Sequence, residues 1–185
     1  VILVSCSLFC FVQSNAQIDV INTTNDHSLN HELIEKVHES TSSDFHFTEN
    51  KGQFDQKVIF HTKLHVGDIF FENTTFTFDL YSPEDLDMVN EYRHAKNSEK
   101  NKEDMPIKLR KDVYQMQFIG ANPNPVLFPE NQKDGLKNYF IGNDRSKWVS
   151  NARSYKALNY QSLYDNIDAK IYNSEDQLKY DFIIK

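Results

Sequence analysis

Cysteine is nearly missing from this 185-residue chain, and both copies, Cys6 and Cys10, lie in its opening apolar run. Once that run is removed, no disulfide framework, thiolate zinc site, iron–sulfur ligand set or cysteine nucleophile is available. Such a domain must be held together by its core. Glycine and proline are scarce, at 5 each, and tryptophan occurs once. Positive charge is in the minority: 20 Lys and Arg face 27 Asp and Glu, a formal charge of −7. That balance lacks the basic footprint of sequence-independent nucleic-acid binding and predicts no nucleic-acid partner. It suits a soluble, surface-exposed protein. There is no G-x-S-x-G, P-loop or dinucleotide fingerprint, so no catalytic residue is assigned. No apolar run reaches the roughly 20 residues that a membrane-spanning helix needs.

What the chain has is rings: 14 Phe and 9 Tyr against 3 Met. Large rings with few Gly and Pro suit half-buried pleated sheets. The length fits one domain of ordinary size.

Val1–Val12 is apolar, and Ser14-Asn15-Ala16 follows as a small-residue site before a sharply polar chain. This predicts a secretory signal peptide over residues 1–16, truncated at its front, with a cut near Ala16–Gln17. The expected location is secreted or at the extracellular cell surface, with no membrane span in the mature chain. A buried N-terminal strand is the alternative. A lipoprotein signal at Leu3-Val4-Ser5-Cys6 is a third reading, opposed by the apolar, Phe-containing run that continues after Cys6.

Residues 17–44 read as a polar linker or short helix, with Leu29, Leu33, Ile34 and Val37 about one turn apart. His27, His31, Glu35 and His38 would share a face there. However, His31-Glu32-Leu33-Ile34-Glu35 has Glu where a zinc protease has its second His, so no metal site is assigned.

From Phe45 onward the pattern is period-two alternation. Val58, Phe60, Thr62 and Leu64 alternate with Ile59, His61 and Lys63, and Phe76, Phe78 and Leu80 alternate with polar residues. With Ile69–Phe71 between them, these predict a three-strand meander with a phenylalanine face. Ser82-Pro83-Glu84-Asp85 predicts a helix start, and a helical and charged insertion is expected at about residues 83–105. Val113–Ile119 is the next strand, and the prolines from Pro123 to Pro129 predict an irregular loop and exclude a central strand. Ile167–Tyr172 and Leu178–Ile184 alternate on either side of the polar link Asn173–Gln177, which is the pattern of a β-hairpin. The expected fold class is mainly β: antiparallel sheets, a β-sandwich, with one or two short peripheral helices, over a domain at 45–185.

Several ordered blocks carry a resemblance. Thr48-Glu49-Asn50-Lys51-Gly52-Gln53, Phe118-Ile119-Gly120-Ala121-Asn122-Pro123, Asn138–Trp148, Leu163-Tyr164-Asp165-Asn166-Ile167-Asp168 and Leu178-Lys179-Tyr180-Asp181-Phe182 stand in order. Together, over roughly Phe45–Lys185, they resemble the N-terminal domain of unknown function of large bacterial surface proteins with SBBP (seven-bladed β-propeller) repeats. The resemblance implies an exported β-rich module joined to downstream propeller repeats of the same polypeptide. It often implies a gliding-motility-associated sorting domain and type IX secretion. It carries no active site to transfer. It also implies that the domain is C-terminally truncated at Lys185 and that the 83–105 segment is a lineage-specific insertion.

Dense aromatics beside Asn and Asp suggest where a ligand would sit. Trp148, Tyr139, Asn143, Asp144 and Tyr155 form a candidate sugar-binding set, since rings stack on sugar faces and Asn and Asp direct hydrogen bonds. The competing reading is a sandwich core with Asx turns. Asp165, Asp168, Glu175, Asp176 and Asp181 offer oxygens of the kind Ca²⁺ takes, without EF-hand spacing; otherwise no cofactor is expected. The same acids would be the carboxylates of a glycosidase pair. The functional expectation is a non-catalytic structural or adhesion module. The alternatives are a carbohydrate-binding module with surface glycans as partners, or a carboxylate-dependent hydrolase.

Overall fold

The computed structural model describes residues 10–17, 45–97, 109–140, 142–174 and 177–185. The helical pattern and His cluster of residues 17–44 lie outside these, as do residues 98–105 of the charged insertion and the acids Glu175 and Asp176.

The described chain is mainly antiparallel β, as expected. Its strands are β1 (Cys10–Gln17), β2 (Phe47–Glu49), β3 (Phe60–Leu64), β4 (Gly67–Phe71), β5 (Thr75–Tyr81), β6 (Lys111–Phe118), β7 (Val126–Gln132), β8 (Lys137–Tyr139), β9 (Val149–Ala152), β10 (Ser154–Tyr164), β11 (Ile167–Ser174) and β12 (Gln177–Ile184). One α-helix, α1 (Pro83–Asn97), sits between β5 and β6, and a 3-10 turn at Arg145–Lys147 sits between β8 and β9. The main sheet runs β1-β6-β5-β4-β3-β2-β10-β11-β12, with β7 on the free side of β10, and β8–β9 pair separately.

The predicted meander is present: β3, β4 and β5 pair in sequence, Phe60 opposite Phe71 and Phe71 opposite Phe76. Their alternation points Phe60, Ile69, Phe71 and Phe76 inward, all nearly solvent-free. The sheet curls through β2 so that its two arms face one another over this core, a sandwich-like arrangement. Phe76 lies 5.9 Å from Tyr160 and Phe118 lies 6.2 Å from Phe182, each pair spanning the arms. Tyr160 carries its hydroxyl across the core to donate to Glu72 O at 3.0 Å. This satisfies the one polar group of a fully buried ring.

The β11–β12 hairpin forms where the alternation places it, Ile167 opposite Ile184 and Ser174 opposite Gln177. Its buried face is carried by β11, where Ala169 and Ile171 are buried, while Tyr180 and Ile184 on the same face of β12 are half exposed. The reason is position: among the described residues β12 has no strand on its far side. The preceding turn is set by Asn166 in the left-handed region and by a bulge at Ser162, whose N–H donates to Asp168 Oδ1 at 2.7 Å. Asp168 also pairs with Lys185 at 2.9 Å.

Two expectations are corrected in detail. The loop assigned through Pro129 becomes strand from Val126, with Pro129 opposite Leu158. Proline is tolerated because β7 pairs only with β10 among the described strands. The strand expected at Ile69–Phe71 starts earlier, since Gly67 and Asp68 already pair in β4.

Helix α1 begins as predicted, with Ser82 N-terminal to Pro83 and its carbonyl accepting from Asp85 N and Leu86 N at 3.1 Å. Leu86 and Val89 pack on Leu109, Val66 and Tyr81, a small satellite of the core. β1 pairs with β6 and overlaps the end of the expected signal peptide; a cut at Ala16–Gln17 would fall within it.

Candidate functional site

Two opposite faces of the β8–β9 hairpin define the site. Tyr139 stands opposite Val149, so the two share the inner face, and Val149 is buried. Their neighbours Phe140 and Trp148 occupy the outer face and touch at 5.4 Å between ring centres. Phe140 is 57% and Trp148 37% exposed, so this is a solvent-facing aromatic pair. The indole Nε1 donates to Gly142 O at 3.1 Å, which fixes the ring's orientation, and the Arg145 guanidinium lies 5.3 Å from its centre. Asp144 accepts from Ser146 N at 3.0 Å and Ser146 Oγ at 2.7 Å, capping the 3-10 turn that carries Arg145. The Ser146 hydroxyl and N–H hold the Asp144 carboxyl below its ordinary value.

The inner face closes over a shielded polar row on the outside of β10, β2 and β3. Ser154 stands opposite Thr48, and Thr48 opposite His61, so their side chains are neighbours on one face. The Ser154 and Thr48 hydroxyls lie 3.0 Å apart, and Thr48 also hydrogen-bonds to the Tyr139 phenol. Burial raises the Tyr139 phenol, with the Asp68 charge adding to it and the Thr48 bond opposing. His61 Nε2 is 2.7 Å from Asp68 Oδ1. Burial pushes the Asp68 carboxyl up. The His61 hydrogen bond and charge, with Lys63 and Lys111, outweigh that and hold it below its ordinary value. Phe54 roofs the pair, 4.5 Å from the His61 ring, 5.3 Å from Phe70 and 5.9 Å from Tyr139. Thr48, His61 and Ser154 are all buried. A hydroxyl–imidazole–carboxylate row in this setting ties four strands together beneath the hairpin.

The candidate ligand residues therefore fall into three environments. Trp148, Asn143 and Asp144 stay together in the exposed loop, joined by Phe140. Tyr139 turns to the inner face. Tyr155 belongs to the rim of the main core, edge-on to Phe60 at 6.0 Å. Of the acids considered for Ca²⁺, Asp168 is engaged by Ser162 N–H and Lys185, and Asp181 stands opposite Lys170. Among the described residues, no three His, Cys, Asp or Glu side chains gather in a metal-holding group. None of the described helices is long and apolar enough to cross a membrane.

His61, Asp68, Thr48 and Ser154 carry no sequence signal as a set. They lie up to 106 residues apart, and only strand pairing brings them together. Phe140 was legible as the ring next to Tyr139, since strand alternation sends adjacent residues to opposite faces.

No curated protein and no solved structure matches the chain. The model of the family described as "Domain of unknown function (DUF7948)" matches residues 47–185, from β2 through β12, and the chain belongs to that family.

Proposed function

We propose that this chain is a non-catalytic structural or adhesion module at the N-terminal end of an exported cell-surface protein, joined to propeller repeats downstream in the same polypeptide. The observation that carries this reading is how buried polar side chains and their half-buried or exposed partners are paired across the fold. His61 is matched by Asp68, Thr48 by Ser154, Asp85 by Arg110 and Asp79 by Lys111, each pair crossing between separate segments. Polar groups engaged in this way brace a scaffold. The apolar Val1–Val12 run and the Ser14-Asn15-Ala16 site support export. Glycosidase, esterase and peptidase panels on the purified protein test the non-catalytic part. The expected result is no turnover, and reproducible hydrolysis abolished by Asp68→Asn or another single carboxylate change rejects it. Protease shaving of intact producing cells tests the surface location.

A second reading is favoured by the exposed Phe140–Trp148 pair: a carbohydrate-binding surface in which a sugar ring stacks on the hairpin tip. A glycan array decides it. Binding lost in both Phe140→Ala and Trp148→Ala, with the fold intact, supports it; no glycan retained by the unmodified protein rejects it.

A further inference from the structure

On the outer face of β10 a lysine, an asparagine and a glutamate converge from three strands. β11 and β7 pair with the same stretch of β10, so they flank it on opposite edges. Lys170 of β11 stands directly opposite Asn159, and Glu130 of β7 stands opposite Ala157, one diagonal step from Asn159. Residues placed in this way project to one face of the sheet. Lys170 Nζ reaches Glu130 Oε2 at 2.7 Å. Its side chain therefore lies across the whole width of β10, over the small Ala157 and alongside Asn159.

Asn159 is buried. Its Nδ2 is shut off from solvent and makes no hydrogen bond of ordinary length among the described residues. An amide nitrogen left in that state costs free energy. The Glu130 carboxyl is held below its ordinary value first by the Lys170 hydrogen bond; burial opposes this, and the Lys170 charge and the Asn159 amide add to it. The three groups thus act on one another. A positioned nucleophile, a carbonyl carbon whose leaving nitrogen is poorly bonded, and a carboxylate able to move protons are the parts of an amide exchange. Residues 17–185 contain no Cys, so no disulfide staples these strands.

We propose that Lys170 Nζ and the Asn159 side chain join without an external enzyme in an isopeptide bond that staples β11 to β10, with Glu130 carrying the protons. Glu130 takes a proton from the Lys170 ammonium. The free amine attacks Asn159 Cγ and forms the new C–N bond. Glu130 passes its proton to Nδ2, the Cγ–Nδ2 bond breaks, and ammonia leaves. The attacking nitrogen returns a proton to Glu130, and ammonia carries it off as ammonium. One lysine ammonium and one primary amide become one secondary amide and one ammonium ion, with no oxidant, reductant or co-reactant. The step happens once per molecule, so the small free-amine fraction of a lysine near neutral pH suffices. The product no longer buries the Asn159 amide nitrogen as a poorly bonded NH₂ group.

Mass spectrometry of the purified protein tests this. The folded chain is expected to weigh one ammonia less than its sequence, and trypsin is expected to leave the bond after Lys170 uncut because the amine is acylated. Tandem spectra of that peptide should place the link between Lys170 and Asn159. Asn159→Ala, Lys170→Arg and Glu130→Gln should each restore the full sequence mass, while hydrogen exchange at β3–β5 shows that the variants fold. A folded chain that keeps its full mass after long incubation at about pH 9, where more of the amine is free, overturns the proposal. So does a loss of ammonia with Lys170 still cut by trypsin, as a succinimide or a cyclised N-terminal Gln would give. Cross-linking at an undiminished rate in Glu130→Gln overturns the role of Glu130.

Discussion

His61 and Asp68 meet on the diagonal of the β3–β4 ladder, at 2.7 Å, while the residues directly opposite them are Phe70 and Lys63. Diagonal neighbours on one face are within reach of long side chains. The short turn between the strands is what brings this imidazole and this carboxylate together under Phe54.

The pair predicts an acid limb in stability. Asp68's carboxyl is held below its ordinary value in the fold, so its contribution is full above the unfolded value of about 3.9 and is lost as pH falls toward the lower folded value. Urea denaturation from pH 7 to pH 3 is expected to show stability falling below about pH 4. Asp68→Asn should cost about 1–3 kcal/mol at neutral pH and flatten that limb. An unchanged limb in the variant counts against the assignment.

The ring core predicts a steep contrast between two aromatic positions. Phe71 is fully buried and contacts Phe47 at 5.2 Å and Phe76 at 4.8 Å. Phe71→Ala should cost about 3–5 kcal/mol. Tyr180 is half exposed on the last strand and touches Phe182 at 5.8 Å. Tyr180→Ala should cost about 1 kcal/mol or less. Chemical denaturation of the two variants measures the difference, and equal costs would mean that the two arms do not close over one core.

Gly67 opens β4 at φ +145°, where a Cβ would lie 2.2 Å from Asp79 O and 2.9 Å from Leu80 Cα. The obstruction is backbone of the paired strand, which cannot step aside without breaking the β4–β5 ladder. Gly67→Ala should lose more than about 3 kcal/mol. Gly135, at φ +89° with nothing within 4 Å, meets only backbone strain, and Gly135→Ala should cost about 1–2 kcal/mol. Thermal and urea unfolding rank the two.

Asp85 anchors α1 to the chain entering β6. Its carboxylate accepts from Arg110 N at 2.6 Å, Nε at 3.0 Å and Nη2 at 2.8 Å, and the Arg110 bonds hold it below its ordinary value. Asp85 is 2% exposed, so Arg110→Ala leaves a buried carboxylate with its main partner gone. That variant should loosen hydrogen exchange across α1 while leaving β10 and β11 protected. Adding Asp85→Ala to it should restore part of the lost stability. A double variant less stable than Arg110→Ala alone would show that the pair acts otherwise.

Local pattern determined much of this protein. Alternation of Phe60, Thr62 and Leu64 with His61 and Lys63, and of Ile167, Ala169 and Ile171 with Asp168 and Lys170, predicts strands because side chains in an extended chain alternate between two faces. Ser82-Pro83 predicts the start of α1 because a helix end needs a cap and tolerates proline there. The antiparallel fold class and the outline of the domain follow from such signals. Tertiary structure alone decided which strands far apart in the chain lie side by side, and with that the placement of every distant pair. Sequence puts Trp148, Tyr139 and Tyr155 in one aromatic neighbourhood; the β8–β9 pairing turns Tyr139 away from Trp148, and β10 carries Tyr155 to the core. Likewise Ser154, Thr48, His61 and Asp68 become neighbours only through cross-strand register, a property of pairing between separate segments.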